Sequence, residues 1–135
     1  MLRWLPGAFE STRVDGDRFV RRALEFFEKY VSVTQRRGVT IAVSEVDGLE
    51  VAMVYHRDLK TAERIAGKLR KVGVAAKGTS GDQHAEIALF EAEPGISAIG
   101  ISNINGPCPA CERYFGETPS GFANVYWDDD TWIFP

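Results

Sequence analysis

The sequence predicts one α/β domain, and three observations carry that prediction. Segments with helical spacing of apolar residues alternate with short β-rich runs along the chain. Two of those runs flank Asp47-Gly48, a dipeptide that favours a tight hairpin turn. A length of 135 residues supplies one hydrophobic core and is too short for two.

Residues 1–16 read as an irregular lead-in. From Asp17, a helix is expected: Phe19, Val20, Ala23, Leu24, Phe27, Tyr30 and Val31 recur on one face, with Arg21, Arg22, Glu25 and Glu28 between them. Arg36-Arg37-Gly38 ends that element. Val39 to Val46 is β-rich, and Leu49 to Tyr55 returns beyond the turn as a second strand. Asp58 is placed to cap a second helix, in which Leu59, Ala62, Ile65, Ala66 and Leu69 share a face. A short strand is expected from Val72 to Ala76, and Lys77 to Gln83 reads as a loop. His84 to Glu93 reads as a third helix stopped by Pro94-Gly95, and Ile96 to Ser102 as a buried strand. Pro107 suits the first turn of a fourth helix. Phe122 to Trp127 and Thr131 to Phe134 read as strands. Only three aspartates separate them, so they are expected to pair antiparallel at the C-terminal end.

Hydrophobic residues make up 44% of the chain and charged ones 26%, which excludes a disordered tail, a collagen-like fibre and a disulfide scaffold. No apolar run approaches the ~18 residues of a membrane helix. Pro6-Gly7 breaks the opening segment too early for a signal peptide. The expectation is a soluble chain with neither an export signal nor a membrane partner. Net charge is −3, unevenly spread: residues 1–77 hold 15 Lys and Arg against 10 acids, residues 78–135 one Arg against nine. The acidic total argues against a dedicated nucleic-acid binder, while the basic half keeps a polyanionic partner open.

The only cysteines, Cys108 and Cys111, stand in Pro107-Cys108-Pro109-Ala110-Cys111. A bridge between them would close a tiny loop, so metal ligation or thiol redox chemistry is the better reading. Upstream, His84-Ala85-Glu86 completes the H-x-E…P-C-x-x-C order of the zinc-dependent deaminases. Catalytic zinc needs three protein ligands and an open fourth position for water. Cysteines three apart in a first helical turn share a face, and His84 completes the set. Helix N-termini at the metal would favour thiolate and hydroxide. Glu86 is not needed as a ligand and is suited to shuttle protons. Residues 84 and 86 diverge within a helix, so both reach one metal only if His84 sits at the helix start. Each residue alone has a plain reading: a helix-start histidine, a solvated carboxylate, a redox pair. Their order and spacing together favour the metal site. His56 falls outside the pattern and reads as a strand-end surface residue.

On these residues the chain resembles the cytidine deaminase-like superfamily. The element order from Asp17 to Phe134 follows it: helix, hairpin, metal helix, strand, metal helix and further strands. The resemblance implies a three-layer α/β fold, with a mixed central sheet and helices on both faces. It also implies bound Zn2+ on His84, Cys108 and Cys111, with Glu86 catalytic. The family core does not require the helix of residues 58–71, so residues 56–83 read as an insertion. A His-Cys-Cys ligand set is more similar to nucleic-acid, tRNA adenosine and deoxycytidylate deaminases than to housekeeping cytidine deaminases. The hairpin tail, compact domain and Asn-bearing loop before Cys108 resemble deaminase domains that end bacterial polymorphic toxins.

That resemblance implies conversion of cytosine to uracil in nucleic acid, single-stranded DNA first, with duplex DNA and RNA as alternatives. A toxin domain would be delivered into the cytoplasm of a target cell and met there by an immunity protein. A monomer is expected. Asn103, Asn105, Tyr114, Phe115 and Trp132 are candidate substrate-holding residues, since an amide both donates and accepts and a flat ring stacks on an extruded base. Tyr126 and Trp127 read first as core. The alternative is a metabolic deaminase of free cytidine or deoxycytidylate; Lys77-Gly78-Thr79-Ser80-Gly81 lacks the P-loop pattern. A non-catalytic module that kept zinc for structure would have no need of Glu86.

Overall fold

The computed structural model describes residues 6–96, 98–103 and 124–127, with residues 6–15 and 124–127 described by their backbone. Helix α1 spans Pro6–Tyr30, which corrects the expected lead-in: the helix begins at Pro6 rather than Asp17. Proline costs nothing at a first helical position, where its missing N–H has no partner to lose. Gly7 and Gly16 each cost about 1 kcal/mol relative to Ala, which an already nucleated helix can absorb. The buried face is Phe19, Val20, Ala23, Phe26 and Phe27, so Phe26 takes the place in the core expected for Leu24. A 3-10 helix, Val33–Gly38, leads to the sheet.

Strands β1 (Thr40–Val46) and β2 (Leu49–Tyr55) pair antiparallel from Val46 opposite Leu49 to Thr40 opposite Tyr55. Asp47 and Gly48 both have positive φ, 52° and 81°, as the tight turn between twisted strands requires. Helix α2 (Leu59–Arg70) buries Thr61, Ala62, Ile65, Ala66 and Leu69. Strand β3 is Ala75–Thr79, which corrects the expected strand at 72–76 and the expected loop from Lys77. Residues 71–74 are used to end α2: Gly73 takes φ 92° and the Val74 N–H returns to the Leu69 carbonyl. Helix α3 is Ala85–Ala92, β4 is Ala98–Ser102 and β5 is Asn124–Trp127.

The sheet order is β3-β2-β1-β4-β5. Only β1 runs against its neighbours; β2 and β3 pair parallel, as do β4 and β5. The expected mixed sheet with helices on both faces is therefore present. Strand alternation divides the core. Ile41, Val43, Ala52 and Val54 pack with α1 and α2; Ala42, Val51, Met53, Ile99 and Ile101 pack with α3. Residues 56–83, read as an insertion, form a β2-α2-β3 crossover whose helix lies within the same core as α1.

Two glycines let helices touch the sheet. A Cβ on Gly78 would lie 2.7 Å from the Glu63 nitrogen, and one on Gly100 would overlap the Val20 nitrogen and the Phe19 carbonyl carbon. The free side of β3 is held by α2. Glu63 accepts from the Gly78 N–H at 2.8 Å, Arg70 donates to the Ala76 carbonyl at 2.8 Å, and the two side chains pair at 3.0 Å. Charged side chains over a sheet edge discourage further strand pairing. The expected fourth helix from Pro107 and the C-terminal antiparallel strand pair fall outside the described residues.

Candidate active site

One end of the sheet collects the residues of interest. Because β2, β3, β4 and β5 run the same way, their C-terminal ends lie together, beside the start of β1 and the head of α3. His84 is the N-cap of α3, with φ −64° and ψ 154°, so it stands before the helical spiral. Its carbonyl accepts the first helical bond from the Ala88 N–H at 2.8 Å. This placement meets the condition set by the His84–Glu86 spacing.

Glu86 lies in the first turn of α3, where the helix dipole favours a negative charge. It is 2% exposed, and it is the only carboxylate buried among the described residues. Removing an ionised carboxylate from water is costly unless the surroundings compensate it, so a carboxylate at this depth is a candidate functional group. Three acids away from α3 ionise below the usual carboxylate range for structural reasons. The Arg22 guanidinium holds the Glu50 carboxyl below the usual carboxylate range by a two-pronged contact, 2.6 and 2.8 Å. The Gly78 N–H and then Arg70 do the same for Glu63. The Thr61 hydroxyl, donating at 2.8 Å, lowers Asp58.

The turn that delivers His84 is tied to the sheet. Thr79 donates its hydroxyl to the Gln83 carbonyl at 2.8 Å, and Tyr55 donates to the Gly81 carbonyl at 2.9 Å. The Tyr55 and His84 rings meet edge-on, with centroids 5.1 Å apart. Tyr55 was not a sequence candidate. Its signal was the alternation Val51, Met53, Tyr55, which puts it on the α3 face at the end of its strand. Across β1, Thr40 stands opposite Tyr55, and the Asn103 amide donates to the Thr40 hydroxyl at 3.1 Å. Asn103 therefore joins His84 and Glu86 at this end of the sheet.

Cys108, Cys111, Asn105, Tyr114, Phe115 and Trp132 lie outside the described residues. Among the described residues no group of three metal-binding side chains converges. His56 sits where a strand-end residue was expected, its Nδ1 accepting from the Asp58 N–H at 2.9 Å.

Fold and site together give an α/β domain built on a mixed sheet, with a histidine and a buried carboxylate at the head of one helix. No family model, curated protein or solved structure matches the chain.

Proposed function

We propose that the chain is a zinc-dependent hydrolytic deaminase that converts cytosine to uracil in nucleic acid, DNA foremost, in the manner of a toxin domain with the cytidine deaminase-like fold. The observation that carries this reading is the buried Glu86 two residues after an N-cap histidine. It supports reading the H-x-E pair as one side chain that would bind the metal and one that would move protons. The donor chemistry fits zinc: one imidazole and two thiolates are its customary ligands. The topology also supports it, since β4 ends at the same end of the sheet as the head of α3, and the four residues between Asn103 and Cys108 allow a reach of at most ~18 Å.

His84, Cys108 and Cys111 would hold the metal. Zinc, when bound, supplies Lewis acidity that ionises water near neutral pH. Glu86 takes a proton from the attacking water and delivers it to cytosine N3 as the C4–O bond forms. It then moves the second proton of that water to the departing amino group. The C4–N bond breaks, and uracil and ammonia result. Burial keeps Glu86 from exchanging that proton with bulk solvent.

The polyanion-facing cations can be narrowed. Arg18 pairs with Glu45, Arg22 with Glu50 and Glu25, and Arg70 with Glu63. Arg37, Arg57 and Lys60 are exposed and lie beside the ends of β1 and β2 nearest His84.

The test is uracil or ammonia release from cytidine, deoxycytidylate, single-stranded DNA, duplex DNA and RNA, together with zinc content. About one zinc per chain and fastest release from single-stranded DNA are expected. Release confined to free cytidine or deoxycytidylate would make the chain a metabolic deaminase. A folded protein with neither zinc nor activity overturns the reading.

A further inference from the structure

We propose that Tyr55 is a positioning residue that sets the His84 imidazole before any metal arrives; this rests on the reading of His84 as a ligand. Tyr55 is the last residue of β2, level with the head of α3. One side chain does two things there. Its ring packs against His84 with the planes at 67°, and its hydroxyl holds the carbonyl of Gly81 in the turn that carries His84.

That turn needs an outside tie. Gly81 takes φ 68°, and residues 81–83 are exposed. Its own closing bond, Gln83 N–H to the Ser80 carbonyl, is long at 3.3 Å. Thr79 secures the Gln83 end and Tyr55 the Gly81 end. His84 precedes the helix, so helical geometry does not fix its side chain. A neighbour that orders the imidazole in the metal-free protein removes an ordering cost from metal binding. Outer partners that orient a ligating histidine are typically worth 10–100-fold in metal affinity. If Tyr55 only filled the margin of the apolar cluster, its hydroxyl would have no use and any apolar residue would serve.

The experiment compares the wild type with Tyr55→Phe and Tyr55→Leu in two arms. The metal-free proteins are examined by NMR for the His84 ring shifts and the exchange of the Gln83 and His84 amides. Zinc affinity is then measured by competition with a chromophoric chelator. In Tyr55→Leu we expect moved His84 shifts, faster amide exchange and zinc binding weakened about 10–100-fold. Tyr55→Phe keeps the ring contact, so its His84 shifts stay near those of the wild type, while exchange quickens and zinc weakens a few-fold. Unchanged His84 shifts and wild-type zinc affinity in Tyr55→Leu would overturn the proposal and leave the deaminase reading standing. Should Tyr55→Leu not fold, wild-type affinity and exchange in Tyr55→Phe would overturn it instead. Absence of zinc from the wild type fells both, and that case is recognised without either variant.

Discussion

Glu86 stands out only once its burial is known. As one acid of 19 it carries no signal beyond its place two residues after His84. At 2% exposure it is a group whose desolvation must be compensated. Replacing it with Gln removes the charge while keeping nearly the same shape. Glu86→Gln should therefore keep the fold and melt as one cooperative unit, while deamination falls at least ~100-fold, the low end for a lost general acid/base. Thermal melting and turnover measured on one preparation check both halves. A variant that keeps near-wild-type turnover would remove Glu86 from the chemistry. His84 was legible because a motif fixes order and spacing. Tyr55 was not, because a strand-end tyrosine has no motif and its neighbours are set by a parallel crossover that no local pattern encodes.

At the scale of elements, periodicity located the hairpin, α2 and α3 within a residue or two, since each has a turn or cap and a continuous apolar face. It failed where glycine was read only as a breaker. Gly78 was placed in a loop, but it lies in β3 because α2 packs backbone to backbone there. Gly100 plays the same part under α1. The Gly100→Ala methyl would overlap the backbone of Phe19 and Val20, and helix and strand would have to part. We expect a loss of about 3 kcal/mol in denaturant unfolding, at the upper range for overpacking. Gly95→Ala is the control: nothing lies within 4 Å of its added carbon and its φ is not positive, so it should change stability by less than ~0.5 kcal/mol.

For the whole molecule, charged side chains fix helices to strands: the Arg22–Glu50 ion pair joins α1 to β2, and Glu63 and Arg70, paired with each other on α2, bond the Gly78 N–H and the Ala76 carbonyl of β3. Both carboxyls ionise below the usual value of 4.5 in the folded chain. A depressed carboxyl contributes its stability in full above the unfolded value and loses it as pH falls through the folded one. The melting temperature should therefore hold as pH falls from neutrality towards 4.5 and drop below it. Glu50→Gln should shrink that drop. The effect is modest, about 1 kcal/mol or less, because the pair is partly exposed and screened. A melting temperature flat from pH 6 to pH 3 would mean these contacts do not anchor the helices.

The same pairing limits how the molecule can meet a polyanion. The basic surplus of residues 1–77 is evident in the sequence, but its availability is not, because Glu45 and Glu50 engage Arg18 and Arg22 only through the tertiary fold, while Glu63 meets Arg70 two turns further along α2. Cations already paired release few counterions on binding, and each new phosphate contact on a single strand contributes about −0.7 to the log–log salt slope. Arg37, Arg57 and Lys60 are exposed at the His84 end, so two or three contacts and a slope near −1 to −2 are expected for single-stranded DNA. Arg57→Ala with Lys60→Ala should flatten that slope and raise KM for DNA. Release of ammonia from free cytidine, if any, should be unaffected. Arg18→Ala should leave the slope alone and act on stability. Titrating activity against salt with these three chains checks the assignment, and a flattened slope in Arg18→Ala would move the nucleic-acid face to α1.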